Sequence, residues 1–180
     1  MATPRLRPEQ IAQVSGFVVQ YITAQRQKYI SRAIPLSAPQ NAAMAGFFSP
    51  QLLDSTRLLV LHGERVSNPE FYPMLKGLGF ANLPDQSGMG AITFFDVVVS
   101  HEPFRNGLLF HELVHVEQYR QLGIPQFSEL YVRGFLNGGS YEAIPLEVNA
   151  YALERQFEEN PAQQFSVAEE VQQLRVKGKL

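Results

Sequence analysis

Two histidines four residues apart, with a glutamate directly after the first, stand in LLFHELVHVEQYRQLG, residues 108–123. Asn106 is a favourable N-cap and Gly123 is a favourable residue for ending a helix, so the segment between them is predicted to be helical. At about 3.6 residues per turn, His111 and His115 lie one turn apart on the same helix face. Both imidazoles can then bind one metal ion, which restricts the fold to one that completes a metal site around this helix.

Glu112 lies about 100° round the helix from His111, beside the histidine face rather than on it. Its carboxylate is therefore not an obvious ligand, but it can hold a metal-bound water and accept its proton. Two neutral nitrogen donors, an open coordination position and a carboxylate base are what a zinc hydrolase needs, and the HExxH motif supplies them. We predict that His111 and His115 bind Zn²⁺ and that Glu112 is the catalytic base.

The alternative interpretation of this segment is a buried helix with two incidental histidines. The whole chain has only four histidines, so chance rarely places two of them at this spacing around a glutamate. Each buried imidazole would also need a polar partner of its own. Metal binding explains both histidines at once and is the interpretation that we favour.

A catalytic zinc site normally takes a third ligand from the protein. No histidine or aspartate follows His115, and the chain contains no cysteine. The third ligand must then be a glutamate further along the chain or a histidine before the motif. Outside the most polar stretches, the candidates are His62, His101, Glu129, Glu142, Glu147 and Glu154.

Glu147 has the most favourable context of these, in IPLEVNAYALERQF, residues 144–157. Pro145 suits the first turn of a helix, and this helix has an apolar face. Ala150 is small enough to let it pack closely against the motif helix. We predict Glu147 as the third ligand, on a helix of residues 145–159. The alternative ligands are Glu142 and Glu154.

The segments HELVHVEQ and PLEVNAYALE together resemble the gluzincin arrangement of zinc metallopeptidases. They are most similar to short bacterial metallopeptidase-like proteins of a domain family of unknown function, whose motif is HELxHxxQ. The resemblance covers about residues 91–156 and implies a small sheet, an HExxH helix beneath it and a glutamate helix that supplies the third ligand. Two features depart from that pattern: Glu117 replaces an apolar residue, and no aspartate follows Glu147 to orient a zinc ligand.

Several further residues are candidates for contacts with the metal ligands or the substrate. Tyr151 and Glu154 follow Glu147 on the same helix face, where they can contact the ligands from outside. A peptide substrate could pair along the edge of a strand at 91–99. Asp96, the charged residue within that strand, is expected at an edge or in a hydrogen bond to a turn.

A hydrolase of this type also needs a donor for the oxyanion that forms on the attacked carbonyl. We predict Tyr141 for this role, because Gly138-Gly139 lies just before it and Glu147 just after it. The alternative donors are His101, Tyr151 and Arg133. His62 is expected to be structural.

The rest of the chain predicts a helix-rich α+β fold with a small sheet before the motif helix, in one zincin-like domain of residues 1–180. The predicted strands are 57–66, with a turn at Gly63, and 91–100. The predicted helices besides the motif helix are 8–32, one or two within 39–56 broken at Ser49-Pro50, 74–78, 125–138, 145–159 and about 163–176.

Composition narrows the class of protein. With 180 residues, of which 45% are hydrophobic, the chain can form a core without disulfides. A formal net charge of −2 without blocks of like charge argues against nucleic-acid and membrane partners. The lack of cysteine, signal peptide and apolar span leads us to expect a cytoplasmic protein.

The sequence thus predicts a zinc-dependent hydrolase, in particular a metallopeptidase acting on a peptide or protein substrate. Two other functions are compatible with the same residues. One is a catalytically silent regulatory protein that keeps the zinc site, although such a protein has no need of Glu112. The other is an interaction module without metal, which docks a partner on the polar face of the motif helix.

Overall fold

The computed structural model describes residues 5–180. Helices dominate this part of the chain, and three short strands form one sheet, so the predicted helix-rich α+β class is confirmed. The elements are α1 (Pro8–Tyr29), α2 (Ala38–Met44), α3 (Pro50–Ser55), β1 (Arg57–Val60), α4 (Tyr72–Gly77), β2 (Ala91–Phe94), β3 (Val97–Ser100), α5 (Asn106–Gly138), α6 (Pro145–Glu159) and α7 (Val167–Val176), with 3-10 turns at Ile30–Arg32, Gln86–Gly88 and Tyr141–Ala143.

Local sequence signals explain most helix ends. The predicted break at Ser49-Pro50 lies between α2 and α3: Ser49 accepts a hydrogen bond from the backbone N–H of Leu52, 3.2 Å away, and Pro50 occupies the first turn of α3. Pro145 begins α6 in the same way. The last helix begins later than the predicted 163, because the side chain of Ser166 caps it. None of the described helices is both long enough and apolar enough to cross a membrane.

The prediction of a single strand at 91–100 is wrong, because this segment forms the hairpin of β2 and β3. Phe95 has a φ of +64°, a conformation that turns usually give to glycine or asparagine. Asp96 completes the turn, and its carboxylate accepts a hydrogen bond from Nη2 of Arg26 at 2.9 Å. Apolar residues on both sides of the turn conceal it in the sequence.

The strand order is β1-β3-β2, with β3 parallel to β1 and antiparallel to β2. Strand β2 therefore lies at an edge of the sheet, and Thr93 pairs with Val98 across the hairpin. Helix α5 packs against β2, and α1 contacts both β2 and β3. The edge strand that was expected as a substrate platform thus lies beside the motif helix.

Helix α5 is divided at Gly123, whose φ of +70° and ψ of 163° are not helical. We refer to 106–122 as the first arm and to 124–138 as the second arm. The two arms correspond to the two predicted helices, and glycine allows the change of direction without steric strain. Asn106 is the first helical residue rather than the N-cap, which is Arg105 without a side-chain capping bond.

Two hydrophobic clusters lie on opposite faces of the sheet. Val98 belongs to one, and its neighbours Val97 and Val99 belong to the other, because successive strand residues point to opposite faces. The helix-side cluster includes Phe47, Phe110, Leu113, Ala150 and Phe157. The α1-side cluster includes Tyr29, Phe94, Tyr119, Phe127 and Phe135.

Candidate metal centre

Three ligand-type side chains converge between the first arm of α5 and the first turn of α6. Nε2 of His111 and Nε2 of His115 are 3.2 Å apart. Oε2 of Glu147 is 3.5 Å from Nε2 of His111 and 3.3 Å from Nε2 of His115. All three residues are buried, with 3–6% of their surface exposed. These three side chains, which the sequence predicts as ligands, form a group that can hold a metal ion.

Close packing between α5 and the chain before α6 brings Glu147 to this position. A Cβ atom at Gly134 would lie 2.6 Å from Cδ of Pro145, and one at Gly138 would lie 2.5 Å from Cβ of Ala143. Glycine at both places therefore lets the residues before Glu147 lie directly on the second arm. Ala150 is fully buried in the helix-side cluster, as its small size suggested.

Each histidine is held by a second hydrogen bond on the side away from the convergence point. Nδ1 of His111 is 3.0 Å from Oε2 of Glu154, and Nδ1 of His115 is 2.9 Å from Oε1 of Gln118. Carboxylate and carbonyl oxygens only accept, so both Nδ1 atoms must carry the proton. In its neutral form, as in a metal complex, each imidazole then directs the lone pair of Nε2 towards Glu147.

Gln118 links the two helices of the site. Its Nε2 donates to the backbone carbonyl of Leu146 at 3.0 Å and to Oδ1 of Asn149 at 3.0 Å. These acceptors fix the orientation of the amide, which leaves Oε1 to accept from His115. Gln118 is fully buried. It therefore couples the orientation of His115 to the first turn of α6, which carries Glu147.

The converging atoms match the requirements of a small divalent cation. Oε2 of Glu147 is buried and has no hydrogen-bond partner among residues 5–180. With both Nδ1 atoms protonated, three lone-pair-bearing atoms face one another, an arrangement that needs a cation at its centre. Ligand atoms bonded at about 2.0–2.1 Å in a tetrahedron lie about 3.3–3.4 Å apart, close to the separations found here.

The same charges show how strongly the pocket attracts positive charge. Burial disfavours the charged form of His111, but the negative charge of Glu147, 3.5 Å away, and the hydrogen bond to Glu154 outweigh burial and raise the pKa of His111 to about 10. Burial likewise opposes ionisation of Glu147, yet the nearby histidines hold its pKa well below its usual range. Without a metal, the pocket therefore retains protons in its place.

Glu112 lies next to the three converging side chains and is held by the sheet. Oγ1 of Thr93, on the edge strand β2, donates to Oε2 of Glu112 at 2.7 Å. Both residues are buried. The bond fixes one carboxylate oxygen of Glu112 at the wall of a cavity that His115 and Glu147 also line.

The negative charge of Glu147 affects the hydroxyl groups of several tyrosines. Tyr141 lines the same cavity, and burial together with the negative charge of Glu147 raises the pKa of its hydroxyl, which stays protonated at neutral pH. Tyr119 and Tyr131 are affected in the same way. Tyr151 instead packs on His111 from the more exposed side, with ring centroids 4.5 Å apart. Of the predicted oxyanion donors, Tyr141 and Tyr151 thus lie at the site.

The structure places the other candidate ligands and donors elsewhere. Nε2 of His101 accepts from the backbone N–H of Val66 at 3.0 Å, and its Nδ1 lies 2.6 Å from the carbonyl of Met89, so this residue ties two loops together. His62 is exposed. The remaining candidates are Glu142, which is exposed, and Glu129 and Arg133, which pair with each other at 2.8 Å on the surface.

Glu117, the unexpected charge in the motif helix, is buried at 2% exposure. Its two carboxylate oxygens each accept from Arg120 at 2.7 Å, and Gln121 donates to it at the same distance. A bidentate pair of this kind compensates for the burial of the charge. Glu117 is therefore a structural residue that attaches α7 through Gln121, which also donates to the carbonyl of Ala168 at 2.8 Å.

A cavity of about 120 Å³ lies beside the group of His111, His115 and Glu147, which we call the metal-type cluster. Side chains from both faces of β2 line it, Thr93 from one face and Ile92 and Phe94 from the other, so it lies along the free edge of the strand. Helix α1 and the second arm of α5 form the opposite walls. Sequence patterns did not reveal this space, since residues far apart in the chain enclose it.

Comparisons with protein-family models, with curated proteins and with solved structures give no match for this chain. Its function therefore has to be inferred from the geometry and chemistry of its own residues.

Proposed function

We propose that this protein is a zinc-dependent hydrolase, a metallopeptidase of the gluzincin type. The observation that carries the proposal is the convergence of Nε2 of His111, Nε2 of His115 and Oε2 of Glu147 within 3.5 Å of one another. Glu112 lies beside these atoms as a fourth buried polar group that is not needed to hold a metal. A structural site would have no use for it, whereas a hydrolytic site needs a base.

Zinc is the metal that suits this donor set best. Two imidazoles and one carboxylate are the protein ligands of one class of catalytic zinc sites, in which the fourth position stays open. The hydrogen bonds from Nδ1 to Gln118 and Glu154 are of the kind that orients zinc-binding histidines. Bound by these residues, zinc would supply Lewis acidity, which polarises a carbonyl oxygen and makes water more acidic.

Glu112 is the proposed general base. Thr93 donates to Oε2, which leaves Oε1 of Glu112 to accept a proton from the attacking water. The water oxygen bonds to the carbonyl carbon, the carbon–nitrogen bond breaks, and Glu112 transfers the proton to the leaving amine. The buried Thr93 contact keeps the carboxylate in the position that both transfers require.

Tyr141 is the proposed donor to the oxyanion. Tyr141 lines the same cavity as Glu147, and its hydroxyl stays protonated, so it can donate a hydrogen bond to a developing negative charge. Tyr151 is the less suitable donor, because its ring packs against His111 and 44% of its surface is exposed. A Tyr141→Phe variant should keep its metal and lose rate.

The first experiment tests the ligands. We expect about one zinc ion per chain in the purified protein, measured by plasma emission spectroscopy after dialysis against a mild chelator. Glu147→Ala should lose the metal, because it removes one of three ligands. Glu142→Ala is the matched control on an exposed residue nearby and should keep it. Equal zinc retention in the two variants would contradict the assignment of Glu147.

The second experiment tests the chemistry. Glu112→Gln keeps the shape of the side chain but cannot accept a proton, so cleavage of a peptide library should fall by about 10²–10⁴-fold. Zinc content should stay the same, since Glu112 is not a ligand. Cleavage that survives this substitution would indicate another active site. A zinc-loaded parent without any cleavage would indicate a regulatory protein instead.

A further inference from the structure

The cavity at the edge of β2 is continuous with the proposed active site. Glu112, His115 and Glu147 line it together with apolar residues such as Leu75 and Phe135. Its volume of about 120 Å³ is far more than the roughly 10–15 Å³ that one water molecule needs. A space of this size next to the reacting groups can hold a large side chain.

The lining determines which side chain fits. Apart from Glu112, His115 and Glu147, the described residues that line the cavity carry no charge, and most are aliphatic or aromatic. The hydroxyl of Tyr21 is already used, because it donates to the carbonyl of Ser67 at 2.8 Å. A lysine, arginine or carboxylate side chain entering this space would lose its water without gaining a partner of opposite charge at depth.

The edge strand explains how a substrate would bring a side chain there. Among the described residues, strand β2 pairs with β3 on one side and with no strand on the other, and this unpaired side is where an extended peptide would add to the sheet. In such a peptide, successive side chains point in opposite directions, and one of two neighbours faces the cavity. The peptide bond beside it would then lie close to Glu112 and the metal ligands.

We infer that the cavity is a specificity pocket that binds one large, uncharged apolar side chain of a peptide substrate, next to the bond that is cleaved. This inference rests on the proposed function and adds the substrate class. Residues of the size of leucine, methionine or phenylalanine fill the space, whereas glycine leaves it unused and charged residues are excluded.

The test uses hydroxamates, which bind zinc through two oxygens and carry a tail of chosen chemistry. We would compare acetohydroxamate, hexanohydroxamate and the hexanohydroxamate analogue with a terminal ammonium group on the zinc-loaded protein by calorimetry. Hexanohydroxamate should bind on the order of 100-fold more tightly than either of the others, because only its tail is both long and apolar. The readout is binding, so it does not depend on turnover.

Two variants locate the tail. Val132→Phe adds bulk to the cavity wall. It should lower the affinity for hexanohydroxamate by about 10-fold or more and leave the affinity for acetohydroxamate unchanged. Val148→Phe is the matched control, since Val148 is 51% exposed on α6 and does not line the cavity. A peptide-library digest of the parent should show large apolar residues adjacent to the cleaved bond.

The outcomes separate the two proposals. Equal affinity for all three hydroxamates would leave the zinc site standing and overturn the specificity pocket. Failure of every hydroxamate to bind would overturn the zinc site, and the pocket's assignment with it. Tight binding of hexanohydroxamate that Val132→Phe and Val148→Phe weaken equally would also overturn the pocket, because the tail would then lie elsewhere.

Discussion

The two hydrophobic clusters show how differently the two sides of the molecule are built. In the helix-side cluster, aromatic rings interlock around Phe110, which stacks on Phe157 with centroids 4.4 Å apart and contacts Phe47 edge-on. The α1-side cluster also consists of hydrophobic residues, but many of them line the cavity, which the buried carboxylates of Glu112 and Glu147 line as well. One side is filled with interlocking rings, and the other keeps open space beside buried charges, as the proposed active site requires.

The largest expected effect is the loss of stability when an aromatic ring is removed from the filled side. Phe110→Ala should lower the free energy of unfolding by close to 5 kcal/mol, the upper end of the about 3–5 kcal/mol typical of such truncations. Phe135→Ala should cost nearer 3 kcal/mol, because Phe135 lines a space that is already open. Urea unfolding of both variants with a chelator present measures the difference without any contribution from metal.

A larger loss at Phe135 than at Phe110 would contradict this comparison. It would mean that the cavity closes around its contents in solution and that the α1-side cluster is packed as tightly as its counterpart.

The next effect is the stabilisation provided by zinc. The proposed ligands join the first arm of α5 to α6 and converge only in the folded chain, so zinc binds the native state preferentially. At about 100 times its dissociation constant, zinc should stabilise the fold by about 2.7 kcal/mol and raise the Tm. Calorimetry of the metal-free and zinc-loaded protein measures the shift. Glu147→Ala, which should show none, is the control.

The smallest effect concerns the outer hydrogen bond to His111. Glu154→Ala removes the acceptor 3.0 Å from Nδ1 and should weaken zinc binding by about 10–100-fold without abolishing it. Glu159→Ala on the exposed end of the same helix should leave zinc affinity unchanged. Competition with a chromogenic chelator measures both. If Glu154→Ala bound zinc as tightly as the parent, the hydrogen bond between Glu154 and His111 would have no part in zinc binding.

The motif helix and the convergence of His111, His115 and Glu147 could be predicted from the sequence. Helical spacing fixes the relative positions of the two histidines, and Pro145 places Glu147 in the first turn of α6. The contact between Glu154 and His111 could also be predicted, because Glu154 follows Glu147 on the same helix face. These are local properties, which the spacing of residues along one helix determines.

The parts that were missed depend on contacts between distant segments. The hairpin was read as one strand because Phe95 adopts a positive φ that its side chain does not favour. Gln118 stands one turn after His115, yet the orientation of its amide is decided by Leu146 and Asn149 on another helix. Thr93 was visible as a hydroxyl in an apolar strand, but its partner Glu112 was not.

The division of α5 at Gly123 has an evolutionary consequence. The histidines lie on the first arm, whereas the second arm, α1 and the residues around α4 supply most of the cavity wall. Substitutions in the cavity wall can accumulate without moving Nε2 of His111 or His115, since few side chains belong both to the wall and to the group that can hold a metal. In the proposed enzyme, substrate preference can therefore change through neutral intermediates that retain the metal, whereas a substitution of a ligand on the first arm would remove metal binding and catalysis together.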